Sequence, residues 1–249
     1  MLAGSLSIFE LSEAHLSLIV RGWKAKLSHN TVYNYRRVLK RIARQIGSLT
    51  ARPLLHEAIP KIGGRRARQT IATPQDIAAL VTAAPAWLRC AILLAAHAGF
   101  RRSDILRIAP RHFDAAHSTI TIEQAKTGKE VTVPVTSELA AILGTLTDDN
   151  PSTPILELLK GTHVTKQTLG HSWNRLKRKC GVSPDLWLHD LRRTLAVSLY
   201  EISKDLRVVE QMLGHQSLAA TVQYLEHRDP TKLKPYLDSI HTIRTRFIQ

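Results

Sequence analysis

Guanidinium, ammonium, imidazole and phenol groups bind anionic oxygens or carry protons. Six such residues stand at marked positions in this 249-residue sequence: Arg101, Lys126, His189, Arg192, His215 and Tyr224. His189 and Arg192 are three residues apart and share one face of any helix that carries them. Taken singly, each has an ordinary structural role. Arg101 after Gly99-Phe100 suits a helix end, Lys126 a turn, His215 a C-cap, Tyr224 a packed aromatic, and the His189–Arg192 pair a surface or capping pair. No one of them identifies a site. Cys90 and Cys180 lack paired spacing, which fits a reducing compartment and excludes a zinc ribbon or a disulfide scaffold. Cys90 lies in an apolar run and is expected in the core.

The order of the motifs carries more. Gly99-Phe100-Arg101-Arg102-Ser103-Asp104-Ile105-Leu106 is followed by Lys126 in a turn, then by His189-Asp190-Leu191-Arg192-Arg193-Thr194. Leu213-Gly214-His215-Gln216-Ser217 and Thr221-Val222-Gln223-Tyr224-Leu225-Glu226-His227 complete the set. From about Thr73 to His227 this resembles the tyrosine recombinase (phage integrase) family. Thr31-Val32-Tyr33-Asn34-Tyr35-Arg36-Arg37-Val38-Leu39 is similar, more weakly, to a helix of that family's core-binding domain. Arg193 stands where the family commonly has histidine or lysine, and Ser203-Lys204 replaces its usual glycine.

The resemblance implies that Arg101 and Arg192 pair on a scissile phosphate, that Tyr224 is the nucleophile, and that Lys126, His189 and His215 fill the remaining catalytic positions. Asp104 falls where the family carries a supporting acid. The implied chemistry accounts for these residue types. Two guanidinium forks neutralise the nonbridging oxygens of a pentavalent phosphorus without a metal. A phenol with a pKa of about 10 must lose its proton, and the departing 5′ oxygen must gain one. The expected partner is double-stranded DNA, bound as a tetramer on two DNA sites, with no cofactor, no metal and no membrane; accessory DNA-bending proteins are left open. Two alternatives stay open: a type IB topoisomerase-like nicking-closing enzyme, and a DNA-binding regulator that keeps the fold without catalysis.

Composition agrees with a polyanionic partner. Lys and Arg number 35 against 20 Asp and Glu, a net charge of +15, with 44% hydrophobic residues; the chain is folded rather than a disordered basic tail. The longest apolar stretch, Cys90 to Phe100, is closed by Arg89 and Arg101 and falls far short of the ~20 residues a membrane span needs. Glu10 and Glu13 interrupt the N-terminal apolar residues, so no signal peptide is expected. A cytoplasmic, nucleoid-associated location is expected.

These residues need elements to position them. The expected fold is mainly α with a small antiparallel β-sheet (α+β): a small helical N-terminal domain followed by a tyrosine-recombinase catalytic domain. The reading places a DNA-binding helical domain at 1–50, a basic linker at 51–72 and the catalytic domain at 73–249, with a tail at 231–249. In the first domain a helix around Leu11 to Leu27 packs on a second whose inner stripe is Val32, Tyr35, Val38, Leu39, Ile42 and Ile46, with Gly47 as its stop. Arg36, Arg37, Lys40, Arg41 and Arg44 form the outer face, and with Arg65, Arg66 and Arg68 of the linker they are the expected DNA contacts. Thr73-Pro74-Gln75-Asp76 opens the catalytic domain as a capped helix start, with helical patterning to about Arg107. Between Phe113 and Val135 the period becomes two, and Ile120 and Ile122 face Val131, Val133 and Val135 across the turn Lys126 to Lys129, a β-hairpin. Helices are expected over 138–143, 164–179, 189–202, 206–213 and 219–226. In the tail, Leu233, Tyr236, Leu237, Ile240, Ile243 and Phe247 make an apolar helical stripe; the resemblance implies docking on a neighbouring protomer, with folding back onto its own domain as the alternative.

Overall fold

The computed structural model describes residues 7, 9–52, 55–64, 70–146, 151–214 and 222. Arg65, Arg66, Arg68, His215, Tyr224, the tail 231–249 and, apart from Val222, the helix expected over 219–226 lie outside the described residues. The chain divides into two units, Met1–Arg68 and Gln69–Gln249.

In the first unit two serines start the helices. Ser12 caps α1 (Glu13–Lys26), accepting the His15 amide, and Ser28 caps α2 (His29–Leu49), accepting the Thr31 amide; each cap contributes about 1 kcal/mol. Leu16 and Val20 of α1 pack with Val32 and Ala43 of α2 and with Leu55 and Ile59 beyond it. Residues 55–62, expected within the linker, are thus folded: Leu55 and Ile59 are buried, and Ile62 packs against them. The surface of α2 also differs from expectation. Leu39, Ala43 and Ile46 face the core with Val32, whereas Tyr35, Val38 and Ile42 are 49%, 59% and 45% exposed. Two helices and one short segment cover only part of an apolar arc this wide.

Gly47 is not the stop of α2. The helix runs on to Leu49, and the chain turns at Ala51, whose φ of 55° is left-handed. Gly47 is buried because the chain folds back over it: a Cβ built there would stand 2.3 Å from the Arg52 carbonyl oxygen.

The second unit is organised around one helix buried on all sides. After α3 (Pro74–Ala83), capped reciprocally by Thr73 and Asp76 as the sequence predicts, Pro85 forces a break and α4 (Ala86–Ala96) begins. Trp87, Leu88 and every residue from Cys90 to Ala96 are buried. A helix apolar all round needs neighbours all round, and α4 meets α3, the short α5 (Arg102–Ile105), α6 (Ser137–Gly144), α7 (Ile155–Lys160), α8 (Lys166–Cys180) and α9 (Leu188–Ser203). The helical patterning read as running to Arg107 is therefore three helices, and α7 has no counterpart in the sequence reading. Between α5 and α6 lies a three-stranded antiparallel sheet, β1 (Phe113–Asp114), β2 (Thr119–Glu123) and β3 (Glu130–Pro134). Ile120 pairs with Val133 and Ile122 with Val131, their side chains buried. Lys204, at the place where the resembled family has glycine, ends α9 with a left-handed φ of 54°. Then α10 (Leu206–Leu213) closes the described fold. No helix among the described residues is long and apolar enough to cross a membrane.

The glycines of the first unit give a paired test. Gly22 on α1 has nothing within 4 Å of a built Cβ, so Gly22→Ala should stabilise by about 0.5–1 kcal/mol through backbone entropy. Gly47→Ala gains the same propensity but must displace backbone, and overpacking costs about 1–3 kcal/mol, so the net sign is destabilising. Amide hydrogen exchange of α1 and α2 reads both; α2 protection equal to or above wild type in Gly47→Ala would refute the close approach.

Candidate active site

Arg101 follows the left-handed turn at Gly99 and occupies the N-cap position of α5, its side chain half-exposed. Phe100, buried, anchors this turn in the core. Three residues on, Asp104 is completely buried, and its Oδ1 accepts the backbone N–H of Ala125 at 2.9 Å. A carboxylate from α5 therefore pins the β2–β3 turn at the residue before Lys126, whose own side chain is exposed. The turn is closed by the Gln124 N–H donating to the Lys129 carbonyl and by the Gly128 N–H donating to the Gln124 carbonyl, both at 2.9 Å.

The start of α9 is fixed by Asp190, which accepts the Trp187 N–H at 2.8 Å. This sets His189 and Arg192 in the first turns of α9, as their spacing predicts. Arg192 is 1% exposed and donates from Nη2 to the Leu213 carbonyl at 2.7 Å and from Nη1 to the Gly99 carbonyl. Both acceptors lie at or just beyond helix C-termini, α10 and α4, where unpaired carbonyls carry partial negative charge.

His189 lies where these elements meet. Burial, then the positive charges of Arg192, Arg101 and Lys126, push its imidazolium down to about 4 against the opposing pull of Asp190. The residue as a whole is exposed, which weakens the desolvation, but repulsion from three cations acts in the same direction. Either way the ring is neutral at pH 7. The structure thus brings Arg101, Lys126, His189 and Arg192 together, with Asp104 behind the hairpin. A cleft of about 590 Å³ adjoins them, lined among others by Arg101, Arg102, Lys166, Lys177, Trp187 and His189. A concave site with this charge, next to a neutral imidazole, suits an anion that needs both neutralisation and a hydrogen-bonding or proton-accepting group.

In the first unit Arg37, Arg41 and Arg44 are exposed on one side of α2, with Lys40 half-exposed. Arg36 is not free to join them. Its Nε donates to the Pro60 carbonyl at 2.6 Å, so this arginine holds the folded-back segment down.

Sequence reasoning passed over Gln124. The two-residue alternation of β2 puts Ile120, Ile122 and residue 124 on the inner side, and an amide on an otherwise apolar face was the available signal. Gln124 is 1% exposed.

A family model described as the phage integrase family matches residues 68–230. Tyrosine recombinase XerC of Chlamydia pneumoniae is 27% identical over 146 residues, 55% of this chain and 46% of that protein. The integrase of Enterobacteria phage 434 is 25% identical over 193 residues, 73% of this chain and 53% of that protein. The chain spans about half the length of the curated relatives it matches. Among solved structures, the Tn1549 transposon integrase in complex with transposon right end DNA superposes with a TM-score of 0.78 at 15% identity, covering 97% of this chain and 89% of that one. A lambda integrase dimer bound to a COC′ core site gives 0.71 at 19% identity, covering 88% of this chain and 66% of that one. At such identities the agreement is one of fold: mostly helical with a small antiparallel sheet, as expected from the sequence.

The depressed His189 value has a sign that can be tested. Between its ordinary pKa of about 6.5 and about 4, the unfolded chain binds a proton here that the folded chain refuses. This group therefore lowers stability as pH falls through that window and adds nothing above it. Ring ¹⁵N spectra, assigned by loss of signal in His189→Gln, should show a midpoint well below 6.5. Adding a short duplex DNA should raise it, because phosphate offsets the three cations. A midpoint at or above 6.5 without DNA would overturn the electrostatic reading.

Proposed function

This chain belongs to the phage integrase family, and from that premise we propose that it is a site-specific DNA recombinase that cuts and rejoins strands through a 3′-phosphotyrosine at Tyr224. The observation that carries the reading is that Arg101 and His189 line one cleft and that the charges of Arg192, Arg101 and Lys126 all act on the His189 imidazole. DNA-bound relatives of the same fold support double-stranded DNA as the partner.

In the proposed reaction Arg101 and Arg192 neutralise the nonbridging oxygens of the scissile phosphate. Arg192 does so from a position fixed by two carbonyls, which limits the reorganisation needed when charge develops. The Tyr224 phenol oxygen bonds to phosphorus while the bond to the 5′ oxygen breaks. His189, neutral at working pH, and His215 accept the phenol proton or donate a hydrogen bond to phosphate. Lys126, on the turn held by Asp104, protonates the departing 5′ oxygen. One phosphodiester is exchanged for another of similar energy, so a 5′ hydroxyl from a second duplex reverses the step without ATP or a metal. A tetramer on two DNA sites provides that second duplex. Arg37, Lys40, Arg41 and Arg44 present a continuous basic surface for the DNA backbone, which positions the protein without reading sequence.

A nicked suicide duplex tests the reading, because the released 5′ end diffuses away and the covalent adduct accumulates. The wild-type chain should form an adduct that maps to Tyr224, and Tyr224→Phe should bind the duplex but form none. An adduct at Tyr33, Tyr35, Tyr200 or Tyr236 would sink the assignment.

Lys126 has a sharper test. With sulfur as the bridging 5′ atom, the leaving thiolate needs no proton. Lys126→Ala should then be slow on ordinary DNA and largely restored on the sulfur-bridged substrate, whereas Arg101→Ala and Arg192→Ala should stay defective on both. Equal defects for Lys126→Ala on the two substrates would make it a phosphate-binding group instead.

A further inference from the structure

Gln124 meets three of the segments that build the site. Its Oε1 accepts from Arg101 Nη1 and, at 3.0 Å, from Thr127 Oγ1 within the Lys126 turn. Its Nε2 donates to the Leu213 carbonyl at 3.0 Å. That carbonyl also takes the Arg192 guanidinium at 2.7 Å, so one oxygen with two lone pairs joins Gln124 to Arg192. Gly214, the next residue and the one before His215, presses against the same side chain: a Cβ there would lie 2.7 Å from Gln124 Nε2 and 2.3 Å from Val131 Cγ2.

The chemistry of these contacts dictates the residue type. A guanidinium only donates and a carbonyl only accepts, so the side chain between them must offer an acceptor at one end and a donor at the other. Glutamate would set an oxygen against the Leu213 carbonyl, and an apolar residue would leave that end of the network without its donor. We propose that Gln124 is a positioning residue that holds Arg101, the Lys126 turn and the α10 C-terminus in one frame, so that the groups acting on the phosphate keep a common register. The proposal rests on the recombinase reading for its effect on rate, but not for its effect on the frame.

Gln124 is buried and is not among the residues that line the cleft, so it acts through the residues it holds. A displacement of about 1 Å in a catalytic group costs on the order of 100-fold in rate, and that is the size expected here. Gln124→Met keeps length and burial while removing both polar ends; Gln124→Glu keeps the acceptor for Arg101 and removes the donor to Leu213.

Two readouts separate the possibilities, both on the full chain. Amide exchange should accelerate locally in Gln124→Met, at Ala125, Thr127, Gly128 and Gly214, with α8 unchanged. Single-turnover adduct formation on the nicked duplex should fall about 100-fold, with duplex affinity within threefold. In an Arg101→Ala background the same substitution should cost much less, since the group it positions is gone. Gln124→Glu should lose rate as well, because its carboxylate both repels the Leu213 carbonyl and neutralises Arg101. Unchanged exchange at the turn, or exchange raised uniformly through the unit, overturns the proposal, as does local loosening with an unaltered cleavage rate. If exchange rises locally but even the wild-type chain forms no adduct, the recombinase reading fails while the frame held by Gln124 stands.

Discussion

A guanidinium with 1% of its surface exposed must find its hydrogen bonds within the protein or cost several kcal/mol. Arg192 finds two of them at the Leu213 and Gly99 carbonyls, one ending α10 and the other just past α4. The rest of the site follows from this requirement. Gly99 leads directly into Phe100 and Arg101, and Leu213 directly into Gly214, so satisfying one buried charge draws together segments that are distant in sequence. The Leu213 carbonyl sits at the negative end of α10, which adds to its hold on the cation.

The consequence is an excess of positive charge around His189. Arg101, Lys126 and Arg192 all lower its affinity for a proton and Asp190 only partly offsets them; Asp190 also takes the Trp187 amide, as Asp104 takes the Ala125 amide. These charges hold the histidine neutral. In the reaction proposed above, the same cations that repel a proton would bind the phosphate, and the imidazole's affinity for a proton would rise as the tyrosine releases one, so that a single set of charges would link the two events.

The first unit has a different balance. Its α2 presents three arcs: a buried one around Val32, Leu39 and Ala43, an exposed apolar one at Tyr35, Val38 and Ile42, and a basic one with Arg37, Arg41 and Arg44. Arg36 stands at the edge of the buried arc, and its bond to Pro60 ties residues 55–62 to the helix pair. The edge-on packing of Trp23 against Tyr35, with ring centres 5.4 Å apart, covers one end of the apolar arc.

Local patterns were readable wherever a rule of short range governs. The Thr73-Pro74-Gln75-Asp76 cap, the alternation of Ile120, Ile122, Val131 and Val133, and the His189–Arg192 spacing each depend on neighbours within a few residues, and the structure contains them. The ordered motifs likewise carry the family resemblance in the sequence itself. Sequence could not say which half of α2's apolar surface finds a partner, because that depends on how few elements are present to cover it. Nor could it say that Gly47 lies inside a helix under a returning chain, since a glycine near a helix end has the same local signature as a stop. Arg36 and Arg192 make the point most plainly. In the sequence Arg36 reads as a DNA contact and Arg192, through the family resemblance, as a phosphate ligand; that the one holds a loop and the other is buried against backbone was set by carbonyl groups 24 and 21 residues away in the chain. Backbone oxygens have no residue type to read, so the contacts they make exist only once the chain is folded.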